Sequence, residues 1–117
     1  MITLLMGASA EGLQAQTLSG EWIPVNPEDN QIVINVGDML ERLTNNRLRS
    51  TQHRVVNPPK DQLGKSRYST PFFLHPRSDM SLACLPSCID ENNPKAYEDI
   101  TAGEFLDERL RELGLKK

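Results

Sequence analysis

The strongest constraint on this chain is a succession of short extended runs, each closed by turn residues, reaching from Ile2 to Pro86. Seven such runs can be marked: Ile2–Met6, Gly12–Gln16, Glu21–Val25, Gln31–Gly37, Arg49–Val56, Ser66–Leu74 and Met80–Pro86. In the second, Leu13 and Ala15 alternate with Gln14 and Gln16, the period of a half-buried strand. Ser19-Gly20 is a hairpin turn, and Pro24 sets the third run at a sheet edge or at its own end. Gln31–Gly37 is almost continuously apolar, which predicts a strand buried on both faces. Many short strands with regular turn signals predict an antiparallel sandwich or jelly roll. A closed double-sheet roll has about eight strands. The expectation is therefore a mainly β jelly roll that lacks its first strand.

Two helices interrupt the pattern. In the first, Met39, Leu40 and Leu43 share a face opposite Glu41 and Arg42, with Asp38 expected as the N-cap and Asn45-Asn46 as the end. The second is C-terminal. Thr101 and Glu104 have capping-box spacing, Phe105, Leu106, Leu110 and Leu113 form an apolar stripe, and Gly114 is the stop. Lys116 and Lys117 then meet the negative end of the helix dipole.

Composition narrows the function classes. The 117 residues form one expected domain, 1–117, with 38% hydrophobic and 25% charged residues. The net charge is -3 and the basic residues are scattered, so neither nucleic acid nor an acidic membrane surface is an expected partner. No stretch approaches the roughly 20 apolar residues of a membrane span. A secretory signal needs an early basic residue and a longer apolar run. Here no Lys or Arg precedes Arg42 and the first apolar run stops at Gly7. Cys84 and Cys88 read as reduced thiols of a cytoplasmic protein. A zinc site would have to use both of them and both histidines, His53 and His75.

Three polar side chains stand out. His53 lies in an expected strand with Thr51 and Val55 at i±2 on its face. Taken alone, it reads as a satisfied core histidine before a functional one. Arg67 and Ser69 are also two apart in an expected strand and share a face with Pro71 and Phe73. That pair reads either as a solvated face or as a carboxylate site, since guanidinium forks bind carboxylates bidentately. Asp38 reads as a helix cap rather than a metal ligand.

The stretches GDMLERLTNNRLRSTQHRVVNPP and SRYSTPFFLHP, with VINVGDMLERLTN and the closing YEDITAGEFLDERLREL, closely resemble the iron(II)- and 2-oxoglutarate-dependent dioxygenases of the isopenicillin N synthase-like family. The resemblance extends from Ile2 to about Leu113. It implies a double-stranded β-helix whose iron is held by an H-x-D pair and a distal histidine. It matches His53 to that histidine, and Arg67 and Ser69 to the pair that binds the distal carboxylate of 2-oxoglutarate. It also implies O2 as co-reactant, a small organic molecule as substrate, and hydroxylation, desaturation or ring closure as the outcome. Leu5 and Phe73 read either as core packing or as pocket wall.

In the family, H-x-D lies a few residues before the stretch matched by Ile2–Leu5. These 117 residues contain neither H-x-D nor H-x-E, and His75 is followed by Pro76 and Arg77. The expectation is a C-terminal portion with an incomplete metal site, binding neither iron(II) nor 2-oxoglutarate tightly alone and prone to self-association through an exposed sheet edge. The alternative is a non-catalytic jelly roll that keeps the fold without metal.

Overall fold

A computed structural model describes every residue except 10, 58, 59, 61–63 and 65. The described elements are β1 (Ile2–Met6), β2 (Leu13–Gln16), β3 (Trp22–Pro24), β4 (Ile32–Val36), α1 (Asp38–Leu43), β5 (His53–Val55), β6 (Pro71–Leu74), a 3₁₀ turn (Pro86–Cys88) and α2 (Ala102–Glu112). They divide between two compact units.

One unit comprises Ile2–Asn35 and Thr51–Phe73 and is built from two three-stranded sheets, in orders β4-β1-β6 and β3-β2-β5. The hairpin between β2 and β3 closes where the Thr17 N–H donates to the Glu21 carbonyl, with Gly20 at φ +87°. The ladder pairs Gln14 with Pro24, Ala15 with Ile23 and Gln16 with Trp22. On its other edge β2 pairs antiparallel with β5, setting Leu13 against Val55, Gln14 against Arg54 and Ala15 against His53. Paired residues point to the same side of a sheet. Gln14, Arg54 and Trp22 therefore share one face, where the Arg54 guanidinium sits 4.1 Å from the Trp22 ring and donates to Gln14 Oε1 at 2.9 Å. Leu13, Ala15, Ile23, His53 and Val55 occupy the opposite face.

The other unit comprises Met1, Val36–Ser50 and Leu74–Lys117. Its core is Met39, Leu82, Ala102 and Phe105, flanked by Met1, Met80 and Ile100. The capping box forms as expected: Thr101 Oγ1 accepts from the Glu104 N–H and the Glu104 carboxylate accepts from the Thr101 N–H. Gly114, at φ +71°, follows the helix end. Asn45 and Asn46 leave α1 at φ +49° and +66°, the left-handed region that Asn tolerates. The Asn45 side chain is fully buried and ties the following loops to α1. Its Nδ2 donates to the carbonyls of Asn93 and Pro94, both at 3.1 Å, and its Oδ1 accepts from the Ala96 N–H at 2.9 Å. Cys84 and Cys88 are buried free thiols.

Several expectations are corrected. The cap of α1 is Gly37, and Asp38 is its first helical residue. Met80–Pro86 forms no strand. The Leu82 N–H donates to the Ile100 carbonyl and the Leu85 N–H to the Leu43 carbonyl, so successive residues bond to different segments, and Ser81 makes an isolated bridge with Thr101. β4 is not buried on both faces: Ile32 and Ile34 are 58% and 66% exposed, while Val33 and Asn35 are half-buried. Leu106 and Leu113 are exposed, so the buried stripe of α2 is narrower than the sequence suggests.

Candidate functional site

His53 opens β5 and is held in register by its pairing with Ala15. Ala15 also pairs with Ile23, so Ile23, Ala15 and His53 form one row across three strands. Its middle member is small, a methyl group between the Ile23 side chain and the imidazole. The ring is exposed. Its Nδ1 lies 3.2 Å from the Thr51 carbonyl oxygen and 3.4 Å from Asn35 Nδ2. Asn35 comes from β4, in the other sheet. The contact therefore spans the two sheets, and Asn35 faces inward while Ile32 and Ile34 face out.

Arg67 and Ser69 sit in an extended lead-in to β6, not in a strand as expected, because the strand begins only at Pro71. A two-way exchange holds the lead-in: the Ser9 N–H donates to the Tyr68 carbonyl at 2.9 Å and the Tyr68 N–H to Ser9 Oγ at 2.8 Å. With Tyr68 anchored in extended backbone, the flanking residues project to the same side. Arg67 Nη1 accordingly donates to Ser69 Oγ at 3.3 Å.

Arg67 lines a cavity of 170 Å³ together with Leu5, Leu13 and Val25. Leu5 belongs to β1 and Leu13 to β2, so residues of both sheets line the cavity with Arg67. Phe73 is 58% exposed and is not among the lining residues. Leu13 and Ala15 are successive same-face residues of β2, about 7 Å apart. One therefore stands at the Arg67 cavity and the next opposite His53. Gly12, just before β2, permits this approach. It adopts φ +131°, its carbonyl accepts from the Val56 N–H at 2.9 Å, and a Cβ there would stand 2.8 Å from the Val56 carbonyl oxygen.

The lining sets aliphatic side chains beside polar ones, with Asn26, Glu11 and the Arg67 cation all at the wall. The residues present fit their share of an iron and 2-oxo acid site. One imidazole has its Nδ1 beside a carbonyl, and a guanidinium and a hydroxyl lie side by side for a carboxylate. Among the described residues no group of three His, Cys, Asp or Glu side chains forms a metal cluster. His75 lies in the segment after β6 and adds no ligand to such a cluster.

Comparison with known proteins gives the class. Residues 1–76 match the 2OG-Fe(II) oxygenase superfamily. The structure superposes on a 2OG-Fe(II) oxygenase family protein from Caulobacter crescentus with a TM-score of 0.88 and 54% identity, covering 97% of this chain and 37% of that one. It is also similar to a full-length Neurospora crassa protein in complex with alpha-KG, with a TM-score of 0.81 and 36% identity, covering 96% of this chain and 34% of that one. Among curated proteins, kihadalactone A synthase LFS from Citrus sinensis is 43% identical over 118 residues, which is 96% of this chain and 33% of that protein. The fold is that of the double-stranded β-helix oxygenases, and the chain belongs to the 2OG-Fe(II) oxygenase superfamily. It spans about a third of the length of the relatives it matches. Among the described residues no helix is long and apolar enough to cross a membrane.

Sequence reasoning does not single out Asn35 or Asn45. A lone Asn within the aliphatic run IVINV is the available signal for Asn35, because a half-buried amide in a strand needs a partner. Asn45 reads locally as a helix end, and its partners lie more than forty residues downstream.

Proposed function

We propose that this chain supplies the distal iron-ligating histidine, His53, and the 2-oxoglutarate carboxylate site, Arg67 with Ser69, of an oxygenase that oxidises a small organic substrate. The observation that carries the reading is the arrangement on β2: Leu13 at the Arg67 cavity and Ala15 opposite His53, one same-face step apart. Bound iron(II) would supply a centre that chelates the 2-oxo acid end of 2-oxoglutarate and activates O2. The Arg67 guanidinium and Ser69 hydroxyl hold the distal carboxylate, and the apolar walls at Leu5, Leu13 and Val25 exclude water from its methylene groups. His53 offers one nitrogen to the metal, and Ile23 across the small Ala15 bounds the space beside it.

The 117 residues contain no H-x-D or H-x-E. A single imidazole lacks the carboxylate and second histidine that an iron(II) site of this type requires. The chain by itself is therefore inactive, and activity requires a segment that brings the pair. Self-association of two copies belongs to the same reading. β4 is last in its sheet order, and its Ile32 and Ile34 side chains are exposed.

The test is saturation-transfer NMR with 2-oxoglutarate on the purified chain, alongside an assay of succinate formation with added iron(II). Transfer to the methylene protons that disappears in Arg67→Gln, with no succinate, is the expected result. Succinate production by this chain alone, or transfer unchanged in Arg67→Gln, overturns the reading.

A further inference from the structure

The contacts of His53 Nδ1 deepen the metal-ligand reading, and their functional meaning rests on it. Thr51 O lies 3.2 Å from this nitrogen and Asn35 Nδ2 lies 3.4 Å from it. A backbone carbonyl oxygen only accepts, and a carboxamide NH2 only donates. One ring nitrogen cannot serve both. With a proton on Nδ1, the Asn35 NH2 faces another donor; without it, the Thr51 oxygen faces a lone pair. The main-chain carbonyl is fixed by the backbone, whereas the oxygen and nitrogen of an Asn side chain exchange places by a simple flip. One arrangement satisfies both neighbours at once: Nδ1–H donates to Thr51 O, and the Asn35 carboxamide turns its oxygen to the ring.

We infer that Asn35 is a positioning residue: its side-chain carbonyl, with the Thr51 carbonyl, locks His53 in the Nδ1–H tautomer and leaves the lone pair on Nε2. A metal-ligating imidazole needs its tautomer and ring rotation set by a hydrogen bond at the other nitrogen. Here the two acceptors come from different places. Thr51 lies two residues before the start of β5, and Asn35 stands on β4 in the other sheet. The ring is thus held by its own chain and by the opposite wall. β4 is otherwise aliphatic, Ile32, Val33, Ile34 and Val36. An Asn at this position costs strand propensity, which the bond to His53 offsets.

The test is a long-range proton–nitrogen correlation spectrum of the ¹⁵N-labelled chain at a pH about two units above the ordinary histidine value. The background is His75→Gln, so that His53 is the one imidazole. The expected spectrum shows a pyrrole-type Nδ1 and a pyridine-type Nε2. Asn35→Asp keeps an acceptor at this place and retains that pattern. Asn35→Leu removes it and moves the ring toward an Nε2–H or exchange-averaged pattern. An Nε2–H ring in the parent chain overturns the inference, as does an Asn35→Leu spectrum identical to the parent's. Should Asn35→Leu lose its dispersed amide spectrum, the parent and Asn35→Asp spectra decide alone. In a completed site, Asn35→Leu should weaken metal binding by about tenfold to a hundredfold. An Nδ1–H ring in this chain, with metal binding of the completed site unchanged in Asn35→Leu, supports the tautomer assignment and counts against the metal role instead.

Discussion

Arg67 Nη1 donates to Ser69 Oγ at 3.3 Å, so the cation and the hydroxyl are already side by side before any ligand arrives. The two differ in what they would give a carboxylate. A hydrogen bond from a charged donor contributes about 1.5–3 kcal/mol, whereas a neutral hydroxyl contributes about 1 kcal/mol. Arg67→Gln should therefore weaken 2-oxoglutarate binding by about 10- to 100-fold, and Ser69→Ala by about 5-fold. Arg67→Lys should recover little, because a point charge does not reproduce the fork. Titration calorimetry with 2-oxoglutarate on a completed site checks the order. Equal effects of the two truncations would contradict it.

Gly12 sets the distance between the Arg67 cavity and the loop after β5. At φ +131°, with Val56 O only 2.8 Å from where a Cβ would stand, Gly12→Ala must move backbone rather than a side-chain tip. The expected cost is about 1–3 kcal/mol in urea denaturation. Because Arg67 Nε lies 3.8 Å from the same point, weakened 2-oxoglutarate binding should accompany it.

Asn45 is the polar centre of the other unit. Asn45→Ala strands the Pro94 carbonyl and the Ala96 N–H, leaves the Asn93 carbonyl with the Asp90 N–H alone, and places a Cβ residue with no compensating amide at φ +49°. The expected loss is about 2–4 kcal/mol. Asn45→Gly relieves the backbone but not the lost bonds, so it should be destabilised by a smaller amount. Equal stability of Asn45→Ala and the parent would show that these bonds do not hold the loops.

The capping box gives a pH dependence. The Glu104 carboxylate is held below the ordinary glutamate range, first by the Thr101 N–H and then by the Thr101 hydroxyl. A folded value below the unfolded one means the contribution is complete above the unfolded glutamate value. It is lost as pH falls through the lower folded value. Glu104→Gln should flatten this part of the stability-against-pH curve between those two points. Thr101→Ala should cost about 1 kcal/mol at neutral pH, as loss of an N-cap does. A difference between parent and Glu104→Gln that is the same at pH 7 and at acid pH would contradict the assignment.

Local chemistry explains which parts are legible in the sequence. The Leu13/Ala15 alternation, the Ser19-Gly20 turn, the Thr101/Glu104 spacing and the Asn45-Asn46 helix exit are each written within a few residues, and the structure carries each of them. The strand expected over Arg67 and Ser69 is too long. Extended backbone has strand periodicity whether or not a partner ladder exists, and here the partner is one loop residue, Ser9. Met80–Pro86 fails for the same reason, its donors being spread over separate segments. The apolar run of β4 reveals its strand but not its exposure, because a sequence shows which side chains are apolar and not what covers them. In the proposed site, His53, Arg67 and Ser69 are legible through a family resemblance. Asn35 is not, because its contact with His53 forms only when β4 and β5 face each other.

The most direct measurement joins this chain behind the preceding part of a relative that carries the H-x-D pair. It then records absorption on anaerobic addition of iron(II) and 2-oxoglutarate. The account predicts a visible charge-transfer band for the joined protein that vanishes in His53→Ala and fails to develop at ordinary 2-oxoglutarate concentrations in Arg67→Gln. A folded joined protein that shows no band, or a band that survives His53→Ala unchanged, would contradict it.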